Sequence, residues 1–193
     1  MPMIYPQVKD REIGTICGID PGTNMLGFST LRFNLRTLEV VSVQADTFKS
    51  DHMVEEDNLL LTTQLERTAK IIAQKDNLVQ QFSFYKPNVI VCENPFINRF
   101  RPNAFGPLVE IVFAIRTAVF EYNPVVKFFT YPPSIIKKCV GAGAIAGKDA
   151  VKKAILSIEE LNPCALTDLS GLDEHALDAI GAAYTHLVHY RKE

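Results

Sequence analysis

The feature that most constrains this chain is a change of hydrophobic period. Up to Ala45 it reads as β-structure, and from Met53 onward helical spacing takes over, broken by two short apolar runs. GTICGID, Gly14 to Asp20, is an apolar run that ends in an acidic residue and meets the turn-forming pair Pro21-Gly22. Leu26 to Phe33 and Leu38 to Ala45 are alternating or β-branched segments separated by the polar Asn34 to Thr37, so an antiparallel meander of three strands is predicted. Between Met53 and Phe84, the residues Leu59, Leu60, Leu65, Ala69, Ile72, Ala73, Val79 and Phe82 share one helical face, which predicts one long helix. Lys86-Pro87 ends it, because the residue before a proline is pushed out of helical space. Asn88 to Cys92 is then a short buried strand that delivers Glu93 at its end.

Pro95 to Pro107 carries three prolines, two arginines and three phenylalanines, too many breakers for a regular element. Leu108 to Tyr122 is a helix apolar nearly all round, which requires burial on more than one side, in the core or at a subunit interface. Val125 to Tyr131 reads as a strand, Pro132-Pro133 opens a helix through Lys138, and the Gly-rich GAGAIAGK leads into a helix from Asp149 to about Leu161. Leu172 to Tyr190 closes the chain as a helix. Strands, then alternating helices and strands, then helices give a mixed α/β domain with a central sheet and helices outside it. At 193 residues, with 47% hydrophobic and 22% charged positions, one globular domain over 1–193 is expected, with 1–13 as a polar N-terminal tail. Cys17, Cys92, Cys139 and Cys164 have no CxxC spacing and read as reduced, mostly buried thiols. No window approaches the roughly 18 apolar residues of a membrane span, and the first residues lack the charged-then-apolar order of a signal peptide. A cytoplasmic setting with no membrane partner is expected.

Three carboxylates stand where chemistry usually sits. Asp20 and Glu93 close two strands, and Asp178 lies in the last helix with His175 three residues before it, so the two face the same way. An Asp before Pro-Gly can be a turn cap, and a single His is often structural. Asp173 and Glu174 fall on other faces and read as solvated or helix-terminal charges. Glu93 is harder to reduce to structure: a carboxylate at the end of NVIVC is partly desolvated, which costs several kcal/mol unless it is paired or meets a cation. Acidic groups gathered at strand ends repel one another, and a hard divalent cation relieves that repulsion. Such a set can support two-metal phosphoryl displacement. His52, His186 and His189 lack a Ser or Cys partner motif and read as surface residues.

GIDPGTNMLGFS, IVCENPF, GAGAIAGKDAV and DEHALDAIGAAY, in that order from about Gly14 to Tyr184, resemble the RuvC family of Holliday junction resolvases, of RNase H-like fold. The resemblance implies a five-stranded mixed sheet, three antiparallel strands followed by parallel ones, flanked by helices. It implies that Asp20, Glu93, His175 and Asp178 are catalytic metal ligands for Mg²⁺ or Mn²⁺, two ions per site, and that Lys148 is a catalytic basic residue near the scissile phosphate. By the same resemblance Phe96 stacks on a base near the crossover, and Lys137 or Lys138, with Lys148, meets DNA. Arg99 and Arg101 extend that basic set. The family also implies a homodimer that binds four-way or related branched DNA and makes two symmetric nicks, in a bacterial or phage-infected cell. GIDPGT resembles as well the phosphate-binding turn of sugar-kinase and actin-like ATPases, though those need two such domains; an RNA-directed or transposase-like RNase H nuclease, or a DNA-binding protein without catalysis, are further readings.

The formal net charge of −2 argues at first against a nucleic-acid binder. From Asn94 to Lys153, however, nine Lys and Arg stand against three acidic residues, while the rest of the chain is strongly acidic. A phosphate backbone could lie along that local basic stretch.

Overall fold

The computed structural model of the chain describes residues 12–55, 58–97 and 102–192. Ile13–Asp20 (β1), Met25–Asn34 (β2), Val40–Lys49 (β3), Val89–Glu93 (β4) and Lys127–Tyr131 (β5) form one sheet in the order β3-β2-β1-β4-β5. The first three strands pair antiparallel, and β4 and β5 join parallel to β1 and to each other, as expected of the mixed sheet. The helices are Leu59–Thr63 (α1), Glu66–Tyr85 (α2), Phe105–Tyr122 (α3), Pro133–Cys139 (α4), Lys148–Leu156 (α5) and Glu174–Tyr190 (α6).

Strand alternation sends side chains to two separate cores. Cys17, Ile19, Ile90 and Cys92 pack under α2 and α3 with Leu78, Phe82, Ile111 and Ile115. Ile16 and Val91 face the other way, against Ile136, Ile155, Leu177 and Ile180 of α4, α5 and α6. All the residues named in these two clusters are buried, so each sheet face is covered by helices.

Several expectations are corrected. The single helix expected from Met53 to Phe84 is two, with the break at Leu65, whose backbone is extended at φ −101° and ψ 150°. Thr62 and Thr63 both donate their hydroxyls to the Leu59 carbonyl at 2.9 Å, local bonds that compete with helix continuation. α2 ends at Lys86, which takes a left-handed φ of 49°. α5 stops at Leu156, not near Leu161: Ser157, at its end, donates both its hydroxyl and its amide back to the Lys153 carbonyl, and a separate 3-10 turn forms over Asn162–Cys164. Ile13, placed in the polar tail, already belongs to β1, and positions 1–11 of that tail lie outside the described residues.

Candidate active site

Register brings the first two carboxylates together. β1 and β4 run parallel with Ile19 beside Cys92, so Asp20 and Glu93, one step further along, end neighbouring strands. Both share the side-chain parity of Ile16 and Val91, whose face of the sheet packs against α6. The N-terminal half of α6 carries His175 and Asp178 to the same place. Two glycines allow that approach. A Cβ on Gly18 would sit 2.1 Å from the Ala179 carbonyl oxygen, and one on Gly27, which pairs with Asp20 across β1 and β2, would sit 2.0 Å from that of His175. Ser29 fastens the contact by donating its buried hydroxyl to the Ala179 carbonyl at 2.8 Å. Asp173 caps α6 by accepting from the Ala176 amide at 3.0 Å.

The imidazole of His175 donates through Nδ1 to Asp20 Oδ2 at 2.7 Å. That carboxylate raises the proton affinity of His175, while burial raises that of Asp20 against the effect of the same bond. Burial and the nearby charges of Asp20 and Asp178 push Glu93 up to about 8. Asp178 is pushed up to about 7, by burial and by Asp20. The acids are therefore one repelling cluster at the end of β1 and β4.

Among the described residues, no three or more His, Cys, Asp or Glu are gathered so as to hold an ion as they stand, and Asp20 is turned toward His175. The donor set nevertheless fits a hard divalent cation: oxygen ligands, partly buried, whose ionised forms are disfavoured by burial and mutual repulsion, a penalty that a bound cation would offset.

The basic residues separate into distinct positions. Lys137 donates to the Ala146 carbonyl at 2.8 Å, and its charge lowers the proton affinity of both Glu93 and Asp178. Lys138, next along α4, is exposed. Lys148 opens α5 and pairs with Glu174 at 2.5 Å. Phe96 is 47% exposed just beyond β4, away from both cores. Arg99 and Arg101 lie outside the described residues.

Glu174, which the sequence reads as a solvated or helix-terminal charge, does open α6, and its Oε1 also lies 3.7 Å from His175 Nε2, which puts it at the rim of the cluster. Its position directly before His175 was the available signal. Gly18 and Gly27 also belong to the site, and their strand register with the acid-bearing face is the signal in the sequence that marks them. His186 and His189 are not surface residues. His186 Nδ1 bonds the Tyr131 hydroxyl at 3.0 Å and its ring packs on Phe129, while His189 stacks on Tyr131. They line a cavity of about 310 Å³ with Ile16, Asn88 and Lys127, toward the starts of β4 and β5 and so apart from the acidic cluster.

No family model matches the chain. It is 29% identical over 179 residues to the crossover junction endodeoxyribonuclease RuvC of Myxococcus xanthus, covering 91% of this chain and 81% of that protein. The RuvC of Anaplasma phagocytophilum is 26% identical over 172 residues, covering 89% and 93%. The structure of Thermus thermophilus RuvC in complex with Holliday junction substrate superposes with a TM-score of 0.68 at 18% identity, over 93% of this chain and 96% of that one. Similar in sequence to these RuvC proteins over about nine-tenths of its length, the chain shares the RNase H-like fold of Thermus thermophilus RuvC.

Proposed function

We propose that this chain is a metal-dependent, structure-selective DNA endonuclease that resolves four-way or related branched DNA by paired symmetric nicks. The observation that carries this reading is the meeting of Asp20, Glu93 and Asp178 at one end of the sheet, with their charges coupled. Asp20, Glu93, His175 and Asp178 are the residues that would hold Mg²⁺ or Mn²⁺, two ions per site; bound there, the cations supply Lewis-acid stabilisation of the phosphoryl group and an activated water. The His175–Asp20 bond fixes the orientation of both side chains. Lys137, anchored on Ala146, and Lys148, at the head of α5, provide positive charge on the approach to the acids, where phosphate oxygens would lie. Lys138 and the arginines Arg99 and Arg101 extend the basic stretch along the DNA. Phe96, exposed and aromatic, serves as a stacking platform for an unpaired base, an interaction worth about 1–3 kcal/mol.

Two symmetric nicks require two sites, and the reading includes a homodimer. The support is α3, whose Ile111, Val112, Ile115 and Val119 are buried while Phe113 and Phe120 are 70% and 71% exposed on its outer side. No helix among the described residues is long and apolar enough to cross a membrane.

The test is cleavage of an end-labelled four-way junction in Mg²⁺ or Mn²⁺ by the protein and by Asp20→Asn and Asp178→Asn. Each substitution is expected to lower the nicking rate by at least about 100-fold. Undiminished cleavage by either variant sinks the assignment. Stronger cleavage of an RNA–DNA hybrid than of the junction would favour an RNA-directed nuclease of the same fold.

A further inference from the structure

Lys148 is not free to meet a phosphate as it stands. Its ammonium lies 2.5 Å from Glu174 Oε1, and that same oxygen is 3.7 Å from His175 Nε2, whose other nitrogen is bonded to Asp20. A continuous line of charge thus runs from Lys148 through Glu174 and His175 to Asp20. The pair stands at a groove of about 110 Å³ that Lys148, Lys152, Glu174 and Asp178 line together. Lys152 is committed to the carbonyls of Ser170 and Leu172 at 3.0 and 3.2 Å, so within this groove Lys148 is the lysine held by a side-chain carboxylate.

We propose that Glu174 is a positioning residue that latches Lys148 and must give it up when DNA enters the site. The inference rests on the nuclease reading, and it adds a residue and a competition to it. Lys148 is 74% exposed and Glu174 39%, so the pair is a solvent-screened one worth little by itself. A weak pair suits an exchange: a phosphate, with its full charge, displaces the carboxylate, and Glu174 is left facing the solvent and the incoming cation site. The latch keeps Lys148 close to the groove without DNA and makes its commitment depend on a phosphate being present. It also sets a charge balance. When Lys148 transfers to a phosphate, Glu174 regains a counterion, which offsets one of the counterions released from the DNA.

The experiment is a double-mutant cycle on junction binding in EDTA, so that no cleavage or metal enters the readout. Affinity and its salt dependence are measured for wild type, Glu174→Gln, Lys148→Gln and the double variant. Glu174→Gln is expected to bind the junction about 3- to 5-fold more tightly at low salt, with a slope of log affinity against log salt steeper by about one. In the Lys148→Gln background the same substitution is expected to leave affinity unchanged within error. Glu174→Asp, which keeps the charge, is expected to keep the wild-type slope. An equal gain in both backgrounds, or no gain in either, overturns the latch while junction binding stands. Failure of the wild-type protein to prefer junction over linear duplex overturns the nuclease reading and the latch with it.

Discussion

At the residue scale, the carboxylates of Glu93 and Asp178 are held well above their ordinary range, and this has a consequence for stability. Their folded values, about 8 and about 7, exceed the unfolded values of 4.5 and 3.8. Their contribution is therefore fully present below about pH 4 and is lost as pH rises through 7 and 8, where both must ionise beside Asp20. In EDTA, the melting temperature is expected to fall between pH 6 and pH 8.5, and Mg²⁺ is expected to restore it at pH 8.5 but not at pH 5.5, since a cation needs the deprotonated acids. Glu93→Gln should flatten the EDTA profile over that window. A wild-type profile equally flat, measured by calorimetry, would mean that the acids do not repel one another. Glu160 works in the opposite sense: Arg191 and Tyr184 hold its carboxyl below the usual range, so its contribution is lost only on acidification, in a separate window.

Among elements, α6 decides whether the site exists. Its placement depends on the absence of side chains at Gly18 and Gly27 and on the Ser29 bond, none of which touches the chemistry directly. Gly27→Ala would put a methyl 2.0 Å from the His175 carbonyl oxygen, so the helix must move or β2 must bend. A loss of about 1–3 kcal/mol in denaturant unfolding is expected, together with a drop in nicking larger than that from Ser29→Ala. Wild-type stability in Gly27→Ala would show that α6 has slack there. The elements also show where the periodicity argument stops. Spacing places Ala69, Val79 and Phe82 on the packed face of α2, but Leu59 and Leu65, expected on the same face, are 71% and 67% exposed, and Gln74 and Leu78, both buried there, are not among the expected residues. The break at Leu65 follows Thr62 and Thr63, whose hydroxyls both bond the Leu59 carbonyl, local bonds that weaken a helix and that hydrophobic spacing does not register.

For the whole molecule, the proposed dimer rests on the exposed ridge of α3, and the proposed path of DNA on the basic stretch from Asn94 to Lys153. Phe113→Asp combined with Phe120→Asp is expected to yield a folded monomer by light scattering, with paired nicking reduced to single nicks. A dimer of unchanged mass would move the interface elsewhere. The net charge of −2, which by itself spoke against DNA, is an average over an acidic remainder and a basic segment.

The sequence by itself determined the strand order of the meander, the two strands that end in Asp20 and Glu93, and the last helix with His175 and Asp178, because alternation, turn chemistry and helical spacing are local properties written residue by residue. It reads Lys137 and Lys138 as equals and Glu174 only as a solvated or helix-terminal charge, puts His186 and His189 on the surface, and gives no measure of the close approach at Gly18 and Gly27. Those points were decided only by the tertiary structure, since they depend on which side of a helix faces the sheet, how closely two backbones approach, and which charges meet from segments as far apart as Lys148 and Glu174. Distances between remote segments are set by packing of the whole chain, and no local pattern contains them.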